Sequence, residues 1–216
     1  MSYSIFVISK LLKSMLPLRE KTLALLIQLP PSLKITEGIE NLRQYVVPEL
    51  DSRFRYTIEV RDRTWFRDLA YNFFADDNLC MVWSQLAELR STPPIATTDF
   101  LYLRFIIGDR TIDEKNLGKI QKDRVMEMRK WVSKVKRTFK EEGRRKSINL
   151  AIVSANNHYA GFGPGTANIF RKTVGLPEVV WSKDEDKDKN EEYDKSHLHG
   201  NSIQDPKQST ISDFMT

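Results

Sequence analysis

Five short apolar runs punctuate the chain: Leu23–Leu29, Tyr56–Val60, Leu79–Trp83, Phe100–Ile107 and Ile148–Val153. Their near-continuous apolar character, without strict alternation, is that of parallel strands covered on both faces. Helical patterns fall between them. Thr36–Glu49 is predicted helical, with Glu37 and Glu40 placed to favour its positive end. Phe66–Ala75 reads as a short amphipathic helix. The longest pattern, Lys119–Glu142, repeats Met128, Trp131, Val132, Val135 and Phe139 at helical spacing before Gly143 stops it. Another helix is predicted near Pro164–Thr173. Strands alternating with helices predict an α/β fold of βαβ units around a parallel sheet.

The polar face of the longest helix carries Lys122, Arg129, Lys130, Lys134, Lys136, Arg137 and Lys140, followed by Arg144, Arg145 and Lys146. Two readings fit, a solvated outer face or a surface that tracks phosphates. From Ser182 the apolar period is lost. Residues 183–206 hold too little apolar surface to offset the entropy of ordering, which predicts a disordered linker. The expected organisation is a folded body over 1–181, a charged linker over 182–206 and a terminal peptide over 207–216.

Net charge divides along the same boundary. The whole chain carries +5, but residues 183–216 hold 5 Lys and 9 Asp+Glu, a net of −4. The body is therefore at +9, which attracts polyanions such as DNA. Cys80 is the sole cysteine, so no internal disulfide forms and a reducing compartment is expected. No apolar run nears the roughly 18 residues of a membrane span. In Met1–Leu16, Lys10 and Lys13 follow the apolar positions instead of preceding them, unlike a secretory signal. A cytoplasmic location without membrane contact is the expectation.

Four segments carry a family resemblance: LLIQLPPSL (25–33), IEVRDRTW (58–65), TDFLYLRFIIG (98–108) and ANNHYAGFGPGTAN (155–168). In order and spacing they resemble the YecE-like family, domain of unknown function 72, over about residues 10–181. The resemblance implies a (β/α)8 TIM-barrel-like fold whose activity is not settled. Members of that family place a Gly- and Trp-containing strand and two further β/α units before the LLIQLPP strand. About five units are present here, so the barrel is expected to be incomplete. A start lying upstream is the favoured explanation, and a separate chain supplying the missing strands or a degenerate fragment are the alternatives. Ile107 stands where many members have His.

In such a barrel, active groups come from the C-terminal ends of strands and the loops after them. Gln28, Glu59, Arg61, Trp65, Trp83, Arg104, Asn156, Asn157, His158 and Tyr159 fall at those positions. Glu59 and Arg104 sit inside apolar strands, where an unpaired charge is costly. Either they pair with each other or with Arg61, or Glu59 is a general acid/base or metal ligand and the arginines grip an anion. The candidate catalytic set is Glu59, His158 and Arg104. Asn156, Asn157, Tyr159, Gly161, Gly163, Gly165 and Thr166, with Arg61, form the candidate phosphate or substrate set, because a glycine-rich turn at a helix start presents free N–H groups. His158 has no nearby acidic cluster, so no zinc site is expected. Mg²⁺ or Mn²⁺ through Glu59 is the one metal reading that remains. Cys80 reads as a packed core residue, and packing is the default for Trp65 and Trp83, with stacking on a base or sugar the alternative.

The terminal peptide, Gln208-Ser-Thr-Ile211-Ser-Asp-Phe214-Met215, resembles the motif with which polymerases, ligases and nucleases dock on the DNA sliding clamp. One tight turn would bring Ile211, Phe214 and Met215 into a single apolar pocket, while Gln208 reaches a polar one. Met215 replaces a second aromatic, which predicts moderate affinity. The expected role is a clamp-recruited DNA repair or replication factor, a phosphodiester- or phosphate-directed hydrolase in one form. A non-catalytic clamp-binding adaptor and a barrel enzyme acting on a phosphorylated metabolite are the alternatives.

Overall fold

The computed structural model describes residues 2–85, 92–106, 111–140 and 148–180. The strands are β1 (Leu25–Gln28), β2 (Tyr56–Glu59), β3 (Cys80–Met81), β4 (Trp83–Gln85), β5 (Phe100–Phe105) and β6 (Leu150–Ala155). They form two parallel ladders, β1-β2-β3 and β4-β5-β6. β3 and β4 are successive halves of one extended run, interrupted at Val82. The lower half pairs with β2 (Ile58 opposite Met81) and the upper half with β5 (Ser84 opposite Arg104). At the interruption the Val82 amide still reaches Ile58 O (3.0 Å), and the Met81 amide donates to the Thr97 hydroxyl (2.9 Å). All five predicted runs thus become strand, in sequential order, with their C-terminal ends at one end of the sheet. β1 and β6 each pair on one side only among the described residues.

Alternation separates two faces. Leu25, Ile27, Tyr56, Ile58 and Met81 project into one apolar cluster with Trp65, Phe73 and Phe74. Trp83, Leu101, Leu103, Phe105, Ala151 and Val153 project into a second, closed by Met128, Trp131, Val132, Val135 and Phe170. Both clusters lie under the helices. The opposite face holds Gln28, Thr57, Glu59, Cys80, Ser84, Arg104 and Ser154, as the period of two and the register require.

The helices are α1 (Ser2–Met15), α2 (Ile35–Asn41), α3 (Asp68–Asp76), α4 (Val125–Lys140), α5 (Asn157–Ala160) and α6 (Gly163–Val174). α1 buries Leu12 in the first cluster. The helix predicted over Thr36–Glu49 is present in three pieces: α2, a wider π turn over Leu42–Val46 and a 3₁₀ turn over Val47–Glu49. Pro48 is the reason, since it lacks an amide and its ring collides with the preceding turn. α2 starts without a side-chain cap of its own; the Thr64 hydroxyl accepts from the Ile35 amide instead (3.1 Å).

The helix predicted from Lys119 begins at Val125. Residues before it are held by tertiary bonds: the Gln121 amide donates to Ala160 O (2.7 Å), and its side chain bridges Asp113 and Asn116. These contacts outcompete helix propensity, and the Asp123 carboxylate then accepts from the Val125 amide (2.8 Å) to start α4.

Candidate functional site

β2 delivers Glu59 to the C-terminal end of the sheet, where its side chain is fully buried. Arg104 of β5 donates through Nη1 to Glu59 Oε2, and Arg61, two residues past Glu59, pairs through Nη2 with Oε1. Arg61 Nη2 also donates to Gln28 Oε1 (3.0 Å), so β1, β2 and β5 are tied at one level. The Arg61–Glu59 contact is an ion pair without hydrogen-bond alignment, leaving Glu59 Oε1 and Arg61 Nε without a hydrogen-bond partner. Two guanidiniums against one carboxylate leave a local charge of +1. Each arginine side chain stays 21% exposed while the carboxylate is sealed, so the exposed share of the cluster is cationic. Such an arrangement has the charge to hold an anion, with Glu59, engaged by cations at both oxygens, orienting the two guanidiniums.

The turn after β2 is fixed by Asp62. Burial would raise its carboxyl pKa, but hydrogen bonds from Lys34 and from the Thr64 hydroxyl and amide outweigh that and hold it at about 2. The same turn seats Trp65, which is fully buried, donates to Leu33 O (2.9 Å) and stacks on Phe74 at 5.6 Å. Trp83 is likewise buried and donates to Ile95 O (3.0 Å). Both indoles pack the core and have no face open to a ligand. Cys80 is buried, with its sulfur 3.5 Å from Phe100 O, and burial pushes its thiol up to about 12.

The loop after β6 is organised by its asparagines. Asn156 Oδ1 accepts from the His158 amide (2.6 Å), starting α5, and Asn157 Oδ1 accepts from the Gly163 amide (2.8 Å), starting α6. Gly161 adopts φ 98°, and a β-carbon there would lie 2.3 Å from Lys119 O. At Gly163 it would meet Ala155 O at 2.7 Å, and at Gly165 the Phe162 ring at 2.6 Å. These glycines admit other parts of the chain. Thr166 is fully buried and its hydroxyl donates to Phe162 O (2.8 Å). His158 is half-buried, one turn past β6.

Tyr159 belongs to a second polar cluster that the sequence reading did not single out. Its hydroxyl donates to Glu127 Oε2 (3.0 Å), which also accepts from Gln85 Nε2 (2.8 Å); Arg124 Nη1 donates to Glu127 Oε1 (2.8 Å). Gln85 Oε1 accepts from Trp131 Nε1 (2.7 Å). Burial first, then the Glu127 charge, raises the Tyr159 pKa. Gln85, Arg124 and Glu127 thus fasten α4 to the end of β4 and to α5. The signal available in the sequence was Glu127, the one acidic residue in a 16-residue helix otherwise rich in lysine and arginine.

Among the described residues, no group of three His, Cys, Asp or Glu side chains converges as a metal site, and no helix is long and apolar enough to cross a membrane. Ile107, the linker and the peptide bearing Gln208, Ile211, Phe214 and Met215 lie outside the described residues.

The fold is that of a mixed α/β protein with parallel strands, and solved structures share it. A DUF72 family protein from Thermotoga maritima superposes with a TM-score of 0.54 at 24% identity, covering 77% of this chain and 64% of its own length. One from Enterococcus faecalis gives 0.60 at 18% identity, covering 78% of this chain and 68% of its own. The sequence matches the family described as "Protein of unknown function DUF72" over residues 6–191, and the chain belongs to that family. No curated protein matches it.

Proposed function

We propose that the chain forms part of a (β/α)8 barrel whose strand ends bind a phosphate-bearing ligand through Arg61 and Arg104, and that Gln208–Met215 recruits it to a DNA sliding clamp. The observation that carries the ligand reading is the double ion pair on Glu59, which leaves two guanidiniums with a net positive charge at the C-terminal ends of parallel strands. Sequential parallel order supports the barrel, because each neighbouring pair is joined by a crossover as in β/α repeats. The clamp reading rests on the Gln, aliphatic and aromatic-apolar spacing at the end of a charged linker. With Glu59 occupied by two arginines, the binding role is the better supported form, and hydrolysis would draw on His158 or on a metal brought with the ligand.

Calorimetry with inorganic phosphate and with a nicked DNA duplex tests the site. Arg61→Gln leaves the Arg104–Glu59 pair in place and is expected to weaken phosphate binding about tenfold, the loss of one charge-assisted contact. Equal affinity of variant and wild type sinks the anion site. Clamp pull-down with wild type and Phe214→Ala tests recruitment separately; equal retention ends that claim.

A further inference from the structure

α4 and α6 run side by side and leave an open groove of ≈ 710 Å³ between them, on the helix side of the sheet and away from Glu59. Its rim carries Arg129 and Lys136 from α4 and Lys172 from α6, with Ser133 and Thr173 between them. All three cations are exposed. Glu178, the one carboxylate in the lining, pairs loosely with Lys172 (3.5 Å) on the exposed rim, a contact that a phosphate can displace, and the lining keeps a net positive charge. Lys130 and Lys140 extend the exposed basic surface of α4 beyond the groove.

A solvated outer helix ordinarily interleaves acids with its lysines to gain i,i+4 pairs. α4 does not: its single acid, Glu127, is turned to Arg124, Gln85 and Tyr159 at the helix start. Among the described residues Arg129, Lys130, Lys136 and Lys140 have no ion-pair partner. Arg129, Ser133, Lys136 and Lys140 follow one stripe of the helix. At 1.5 Å per residue that stripe runs about 16 Å, which matches roughly five nucleotides of one strand at 3.4 Å each.

We infer that the α4–α6 groove is a sequence-independent contact for the phosphate backbone of a nucleic acid. Arg129, Lys136 and Lys172 engage phosphates, and the Ser133 and Thr173 hydroxyls flank the same path. The site is separate from the strand-end arginines and does not depend on the clamp peptide.

The test uses the full chain and fluorescence anisotropy with a labelled mixed-sequence DNA between 50 and 200 mM salt. The triple variant Arg129→Gln, Lys136→Gln, Lys172→Gln changes only exposed side chains, and circular dichroism checks that it stays folded. It is expected to bind about tenfold or more weakly at the lower salt, with a salt slope shallower by about 2–3, since each phosphate contact contributes about 0.9. The triple variant keeps Arg61 and Arg104, so phosphate calorimetry on Arg61→Gln reads the strand-end site while the salt slope of the triple variant reads this one, and failure of either reading is distinguishable. Unchanged affinity and slope in the triple variant overturn the inference. Equally tight binding of poly-L-glutamate at matched length overturns it as well, in favour of an acidic polypeptide, of which residues 183–194 of this chain are one example.

Discussion

Arg104 on β5 donates to Glu59 on β2 across the run formed by β3 and β4, so the two ladders are pinned by a charge pair whose carboxylate is wholly sealed from solvent. Removing the carboxylate strands two guanidiniums in a poorly solvated place, whereas removing Arg104 with it strands only Arg61. Glu59→Ala is therefore expected to cost about 3 kcal/mol, toward the lower end for a buried pair because the arginines retain some exposure. Glu59→Met combined with Arg104→Met should recover part of that loss. Urea midpoints of wild type and these two variants check it; a double variant no more stable than Glu59→Ala rules out the pairing account.

Gly38 lies under the Trp65 indole, and a β-carbon there would stand 2.1 Å from Trp65 Cζ2. Gly38→Ala is expected to destabilise by about 1–3 kcal/mol, through overpacking against a ring that has no room to retreat. Trp65→Phe removes the colliding atoms. The two changes together should then cost less than their sum by thermal melting, and simple additivity would show that the ring moves freely.

The Cys80 thiol is held up to about 12 by burial. An unfolded thiol ionises near 8.5. The neutral buried form therefore contributes stability fully present below that pH, and the contribution is lost as pH rises from there through about 12. Between pH 8 and 10.5, wild type should lose about 2–3 kcal/mol more than Cys80→Ala, measured from denaturant midpoints. Native protein at pH 8 should also resist an aromatic disulfide reagent; rapid labelling would contradict the buried placement.

Tyr159→Phe removes the hydroxyl that Glu127 accepts from within the Gln85–Arg124 cluster. Glu127 keeps two partners and about a third of its exposure, so the expected loss is about 1 kcal/mol. Glu127→Ala strands Tyr159 and Gln85 together and should cost more. Reversal of that order in melting temperature would place the hydroxyl outside the network.

The strands were legible as short apolar runs between helical patterns, and all five runs are strands; burial on both faces holds for β2 and β3, while β1 and β6 are only partly buried. Helix limits were less so. Pro48 broke the expected long helix by removing one donor, a local cause visible in the sequence once the register is known. The late start of α4 has no local cause; Gln121 is claimed by Ala160, Asp113 and Asn116, which are distant along the chain or lie in another loop. In the candidate site, Glu59 and Arg104 stood out as charges inside apolar strands, and both pairings raised for them, with each other and with Arg61, are present. Gln85 and Arg124 gave no comparable signal, because a polar residue after a strand or before a helix is ordinary until its partners are known. The asparagines at 156 and 157 stood in the loop, but their use as caps follows from backbone geometry.

The interruption at Val82 gives the molecule a seam. Below it the extended run shares its backbone bonds with β2, above it with β5, and each side has its own apolar cluster. Loss of order on one side need not propagate at once to the other, so the two halves are expected to open as separate units, joined by the shared strand, the Thr97 hydroxyl bonds to Leu79 and Met81, and the Glu59–Arg104 pair. Native-state amide exchange should then resolve two protection levels, one for β1 and β2 and another for β5 and β6, and Glu59→Ala should widen the gap between them. A single common opening energy would mean that the seam transmits strain as well as an unbroken strand.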